Sequence, residues 1–224
     1  MSQPRSAHAA DVATLAITVM AAIAGLAVFF AGPTHQMPVH WGSDGLVDSW
    51  ADRQLVGLAI FGLGFLNLVL AGGLGVAAGR AAESARRQAL RYTQLLALMV
   101  LTLVGLFGAS ASLSGMTSLT GAAPMAVLSV IFLVVGTLLG RVGTNPFVGV
   151  RTPWTFRSRL AWERSNRLAG RLLFLLGLIG LATAPFAPQP LGFGLLIGGV
   201  LAAVAWSVFE SWRVWRSDPD RQPS

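Results

Sequence analysis

"LVGLAIFGLGFLNLVLAGGLGVAA", Leu55 to Ala78, runs without a charged residue, and its most polar member is Asn67. At about 1.5 Å of rise per residue, a helix of this length covers the roughly 30 Å hydrocarbon core of a bilayer. A helix on the surface of a soluble domain would show a polar stripe at the helical period, and this one is apolar all round. The stretch reads as a membrane span, and it governs the reading of the sequence on both sides.

Five further runs have the same character: Val12–Ala31, Gln94–Ala111, Ala123–Leu139, Leu172–Ala187 and Leu191–Val208. The composition agrees. Hydrophobic residues make up 54% of the 224, charged residues only 11%, and mean hydropathy is +0.66. Soluble domains carry about a quarter charged residues, so an ordinary soluble fold is excluded. The expected architecture is all-α: a polytopic membrane protein with six transmembrane helices. Val12–Ala31 is longer than the apolar segment of a secretory signal, about 7–15 residues, and only Arg5 precedes it, so it is expected to be a retained helix. With no cysteine, disulfides and thiolate metal sites are excluded.

Loop charges orient the spans. The net charge of +7 comes from arginine alone among the strong bases, for the chain has no lysine. Gly32–Gln54 holds Asp44, Asp48 and Asp52 against Arg53, whereas Gly79–Thr93 holds Arg80, Arg86, Arg87 and Arg91 against Glu83. Ser112–Ala122 is uncharged, and Gly140–Arg171 carries seven arginines against Glu163. Arginine-rich loops stay in the cytoplasm, so the second and fourth loops are expected inside, the others outside, and both termini cytoplasmic. Clustered beside apolar spans, the arginines point to anionic membrane lipids as partner, with no direct contact to nucleic acid.

The spans themselves hold no ionisable residue at depth. Their polar members include Asn67, Thr102, Ser110, Ser129, Thr137 and Thr183. That disfavours ion-coupled transport, which needs charge-binding groups in the membrane, and leaves a neutral-solute channel as an alternative. Asn67 is expected to bond to a neighbouring helix. The small-residue pairs Gly75/Gly79, Gly136/Gly140 and Gly194/Gly198 are expected to let helices approach within one bundle. Trp206, Trp212 and Trp215 suit an interfacial anchor on the last helix.

Chemistry therefore falls to the loops. In the first, "HQMPVHWGSDGLVDSWADR", His40, Asp44, Asp48 and Asp52 recur every fourth residue, with His35 nearby. On a helix they would make a metal-binding face, but Gly42 and Gly45 oppose a helix there, and no metal or other cofactor is expected. A compact amphipathic cap is expected instead, its acids facing a cationic ligand and Trp41 and Trp50 at headgroup level.

In the fourth loop, "GTNPFVGVRTPWTFRSRLAWERSNRLAGRL", Pro146 and Pro153 push Asn145 and Thr152 toward extended backbone. Helix is expected to resume at Ser158, a good N-cap. Arg164, Arg167 and Arg171 then form a basic stripe, Trp162, Asn166, Ala169 and Leu173 an apolar one, and Glu163 is placed to pair with Arg159 and Arg167. Arg151 is expected to be partly buried, bonded to loop carbonyls or Asn145, with Trp154 packed against it.

The run formed by Asn145, Gly149, Arg151, Thr152, Pro153, Trp154, Thr155, Ser158, Trp162, Arg167 and Gly170 resembles the signature of the SdpI family of bacterial membrane proteins. The outer loop, through Pro38, His40, Trp41, Gly45 and Asp48, resembles a small domain often found N-terminal to it. The boundary between the two parts is expected at residues 92/93. Two positions depart from the pattern. Asn166 stands where the family usually has histidine, and Gly42 where the outer pattern has asparagine. The resemblance implies a multi-pass protein of the bacterial cytoplasmic membrane that confers immunity to, or signals, a secreted antimicrobial peptide. A hydrophobic or cationic peptide toxin and a cytoplasmic transcriptional repressor are the partners it implies. The ligand- or partner-binding residues would be the motif residues from Asn145 to Trp162, Asn166, and His40, Trp41, Asp44 and Asp48 outside. An enzyme gripping phosphate with Arg151, Thr152 and Thr155 is the alternative, disfavoured because no nucleophile–base pair accompanies them.

Overall fold

A computed structural model describes residues 8–42, 44–119, 122–144 and 148–222. Asn145, an expected site residue, lies outside the described residues, as does Pro146. Among the described residues six helices are long and apolar enough to cross a bilayer, as expected. Large apolar side chains on their outer faces, including Phe30, Leu106, Leu195 and Leu201, are more than half exposed. Such a surface suits hydrocarbon and not water. The chain forms two compact units, Met1–Leu119 and Thr120–Ser224.

The first unit contains α1 (Ala9–Ala31), strands β1 (Met37–Trp41) and β2 (Val47–Ala51), α2 (Arg53–Asn67), a π-helical turn over Leu68–Gly72, α3 (Gly73–Arg80) and α4 (Ser84–Leu113). α2, the π turn and α3 run on as one stretch, Arg53–Arg80, long and apolar enough to cross a bilayer. α4 begins ten residues before the apolar run at Gln94, because Ser84–Thr93 is helical despite its arginines. The expected boundary at 92/93 falls inside this continuous helix.

Glycine decides how close α1 and α2 come. A Cβ on Gly25 would lie 2.7 Å from the Gly57 carbonyl oxygen, and one on Gly57 would lie 2.6 Å from that of Gly25. Nearer the arginine-rich end, Asp11 of α1 accepts from Arg91 at 2.5 Å and from Gln94 at 2.9 Å. Arg91 also donates to Gln94 at 2.6 Å. Gly75 makes room for this cluster, since a Cβ there would collide with the Asp11 carboxylate. The apolar-run reading stopped one residue short of Asp11 and three short of Arg91, and so missed the ion pair.

The first loop is a two-stranded antiparallel ribbon, an element the sequence reading did not anticipate. Met37, fully buried, anchors it on Ala51 and Val56, with Val28 and Ile60 packed alongside. Gly45 takes φ of 78° at the turn, a backbone that glycine adopts at little cost. The segment after α4 joins the ribbon. Trp41 donates its indole N–H to the Met116 carbonyl at 3.0 Å, and Leu119 N–H bonds to Gly45 at 2.7 Å.

The second unit contains α5 (Ala122–Leu139), the short α6 (Pro153–Arg157), α7 (Arg159–Thr183) and α8 (Leu191–Ser217). α7 starts at Arg159, next to the Ser158 cap where helix was expected to resume, so Arg159, Arg164, Arg167 and Arg171, four of the fourth loop's seven arginines, lie on a helix long enough to span. α5 and α7 cross at glycines. A Cβ on Gly136 would meet the backbone nitrogen of Phe174 at 2.5 Å, and one on Gly177 the Ser129 carbonyl oxygen at 2.6 Å. The pair Gly136/Gly140 thus packs as expected, while Gly79, Gly194 and Gly198 face open space. Their spacing alone did not distinguish them.

Candidate functional site

The motif segment is built around Trp162 and Asn166, one turn apart on α7. Both are buried, at 1% and 2% exposure. Trp162 donates its indole N–H to the Val142 carbonyl at 3.0 Å, which ties down the chain leaving α5. Asn166 accepts from the Val150 N–H at 2.7 Å and donates to the Trp162 carbonyl at 3.0 Å. Gly149 passes directly over this pair with φ of 135°. A Cβ there would sit 2.6 Å from the Asn166 side-chain oxygen and 2.9 Å from the Trp162 ring. Only glycine fits, both for its backbone angle and for the missing side chain. The apolar stripe expected on α7 is therefore the floor on which the motif rests.

Next come two helix caps in succession. Thr152 is extended, with φ −120° and ψ 161°, as the following proline dictates. Its hydroxyl accepts from Thr155 N–H at 3.2 Å while the Thr155 hydroxyl accepts from Thr152 N–H at 3.0 Å, a reciprocal capping box with Pro153 in the first turn. The Thr152 and Ser211 hydroxyls lie 3.0 Å apart, which links this turn to α8. Ser158 caps α7 as expected, accepting from Ala161 N–H at 2.9 Å. Its hydroxyl donates to Asp218 at 2.5 Å, and Gln222 N–H bonds to the Arg157 carbonyl at 2.9 Å, so the chain beyond α8 closes over this corner.

Arg151 departs from its expected place. It is exposed, and its guanidinium carbon stands 5.9 Å from the centre of the Phe156 ring, not against Trp154. The buried polar work falls to Thr152, Thr155, Ser158 and Asn166 instead. The physical reason is local. Once Val150 N–H is held by Asn166 and Thr152 is committed to its cap, the side chain between them points away from the packed face. Trp154 is half-buried, and Phe156, 47% exposed, lies near Trp162 with centroids 6.1 Å apart and the rings tilted by 45°. Gly149 to Thr152 also border a cavity of about 260 Å³ that is lined further by Leu139, Ala203 and Ser207. Arg164, Arg167 and Arg171 are exposed, and Glu163 pairs with Arg159 at 2.9 Å.

The partners from α8 and beyond, Ser211 and Asp218, were not singled out by the sequence reading. Asp218 in "RSDPDR" reads as a solvated tail charge, yet it is 6% exposed. Chemically, the corner places the Arg151 cation beside a largely apolar cavity, with the Phe156 ring near it. The motif hydroxyls are occupied by helix caps, which leaves them poorly placed as nucleophiles.

In the first unit the four periodic residues separate. His40 Nδ1 and Asp48 Oδ1 pair across the ribbon at 2.6 Å, both well exposed. Asp44 accepts from Leu46 N–H at 3.0 Å within the turn, and Asp52 caps α2 by accepting from Leu55 N–H at 2.9 Å. The four-residue spacing of these groups belongs to a hairpin and a cap, and forms no common helical face.

Comparison with known proteins falls on this same segment. Residues 141–210 match the SdpI/YfhL protein family. The matched residues lie within the second unit. The matched residues run from the tether at Val142 through the motif and α7 into α8, so the SdpI/YfhL match and the packed corner coincide. The chain is also 30% identical over 87 residues to the immunity protein SdpI of Bacillus subtilis (strain 168), which covers 38% of this chain and 42% of that relative. The chain thus spans less than half the length of this curated relative. No solved structure matches.

Proposed function

We propose that the protein is a multi-pass protein of a bacterial cytoplasmic membrane that confers immunity to a secreted antimicrobial peptide or senses it. The motif corner faces the cytoplasm in this reading, and both termini lie there too, as the alternation of arginine-rich and arginine-poor loops requires. The observation that carries the reading is the corner itself. Four buried polar side chains, Thr152, Thr155, Ser158 and Asn166, are spent on holding its backbone, while Arg151 and Phe156 are left exposed at its edge. A segment so fixed, with a free guanidinium and an aromatic face, suits docking of a protein partner such as a transcriptional repressor. The outer ribbon, with His40, Trp41, Asp44 and Asp48, would meet a cationic or hydrophobic peptide first.

The test is survival. A peptide-sensitive host expressing the protein is challenged with a secreted antimicrobial peptide that kills it. Expression should raise survival over the empty vector, Arg151→Ala should remove that protection at matched membrane levels, and Arg164→Ala should keep it. Equal survival with and without the protein would defeat the reading.

A further inference from the structure

The cavity beside the motif corner owes its space to small residues. Ala169 of α7 and Ala203 and Ser207 of α8 line it, and all three are buried. Short side chains on both helices leave about 260 Å³ between them, just under the usual range of ligand pockets. Along α8 the lining runs from Ala203 to Val208, about 7.5 Å of helix at 1.5 Å per residue. Val204 and Val208 belong to this lining too, yet they are 52% and 36% exposed. They stand on the apolar outer face of a helix long enough to span, so the cavity opens toward the acyl chains of a bilayer.

One wall of the cavity is the motif backbone from Gly149 to Thr152, which brings Arg151 to its edge. Arg151 lies in the connection between α5 and α6, outside the apolar spans and so at headgroup depth. Among the described residues no carboxylate pairs with it. Neighbouring acids are engaged elsewhere: Glu163 holds Arg159, Glu210 holds Arg213, and Asp218 takes the Ser158 hydroxyl. Two needs therefore meet at one place. An apolar space in a bilayer gains dispersion contacts when a chain fills it. A cation without a counter-charge at headgroup depth attracts an anionic head.

We infer that this cavity binds one anionic glycerophospholipid, whose phosphate pairs with Arg151 while the upper part of an acyl chain lies along Ala203–Val208. A planar guanidinium meets two phosphate oxygens with two parallel N–H···O bonds. Those bonds use two of its five donors, which leaves the others for a protein partner. A zwitterionic lipid fills the same space but carries its own cation, so it gains less from Arg151. A phosphate ester without a chain meets only an exposed arginine in water, where an ion pair is worth little. The inference needs only that the second unit crosses a bilayer. It rests on neither the immunity reading nor the side of the membrane that the corner faces.

The test uses the full chain purified in dodecyl maltoside micelles, with bound lipid counted by native mass spectrometry. Phosphatidylglycerol and phosphatidylcholine with identical acyl chains are the probes. Wild-type protein should retain a single phosphatidylglycerol, about tenfold more tightly than phosphatidylcholine, the discrimination expected of one charge-assisted pair. Glycerol phosphate at equal concentration should not displace it. Arg151→Gln should bind the two lipids alike. Arg164→Gln, which removes a charge from an exposed position on α7 away from the cavity lining, should keep the preference. Ala203→Leu puts a larger side chain into the cavity and should abolish retention of phosphatidylglycerol. Should it fold poorly, Val204→Trp takes its place, covering the opening from an exposed position. Equal affinity for the two lipids in wild type, equal losses in Arg151→Gln and Arg164→Gln, displacement by glycerol phosphate, or retention that survives the cavity variant would each overturn the inference.

Discussion

Gly149 and Asn166 form the tightest point of the motif corner, and a single methyl group tests it. Gly149→Ala imposes a left-handed backbone angle on alanine and drives its Cβ into the Asn166 oxygen, now 2.6 Å away. The expected cost is about 1–3 kcal/mol, read as a lower denaturation midpoint of the purified protein. An unchanged midpoint would mean that the loop is not held over α7. Arg151 should behave in the opposite way. Because it is exposed, Arg151→Ala and Arg151→Lys should both stay within about 0.5 kcal/mol of wild-type stability. A large loss for Arg151→Lys would restore the buried, fork-bonded arginine that the sequence suggested. Asn166 shows how a departure from a family pattern can be structural. Its oxygen accepts the Val150 N–H and its nitrogen donates to the Trp162 carbonyl, so the carboxamide ties the motif loop to α7.

Helix contacts sort the glycines that sequence spacing left equivalent. Gly136→Leu would force α5 and α7 apart, since even a Cβ meets backbone at 2.5 Å. Gly194→Ala has open space around it and adds helix propensity. The first should fold poorly or lose the heat stability of the second unit. The second should match wild type or exceed it by about 0.5–1 kcal/mol. Thermal unfolding followed by helical circular dichroism separates the two, and similar behaviour would show that the α5–α7 crossing is looser than described. The ribbon of the first unit belongs to the same scale. Alternation along Met37–Trp41 and Val47–Ala51 is too short to register beside spans of twenty residues, and the four-residue spacing of His40, Asp44, Asp48 and Asp52 imitates a helix.

The whole molecule is set by where its arginines lie, and the absence of cysteine makes that testable. Single cysteines at Ser49, Ser84 and Arg164, all exposed positions, can be probed with a membrane-impermeant maleimide. Position 49 should react in intact cells, while 84 and 164 should react only after permeabilisation. Labelling of 164 in intact cells would invert the protein and move the motif corner outside, where no cytoplasmic partner could reach it.

Six spans, their order and the site of the motif follow from the sequence alone, because apolar length and arginine counts act through the bilayer and need no knowledge of neighbours. The extended backbone at Thr152 and the cap at Ser158 were legible for a similar reason, since proline and a hydroxyl N-cap act within one turn. What the sequence could not give are relations between residues far apart in the chain. Asp11 with Arg91, Thr152 with Ser211, and Ser158 with Asp218 are pairs made only when helices meet, and each partner alone reads as an ordinary end-of-helix polar group. Asn67 is the converse case. It was expected to bond to a neighbouring helix, yet among the described residues its buried carboxamide has no hydrogen-bond partner.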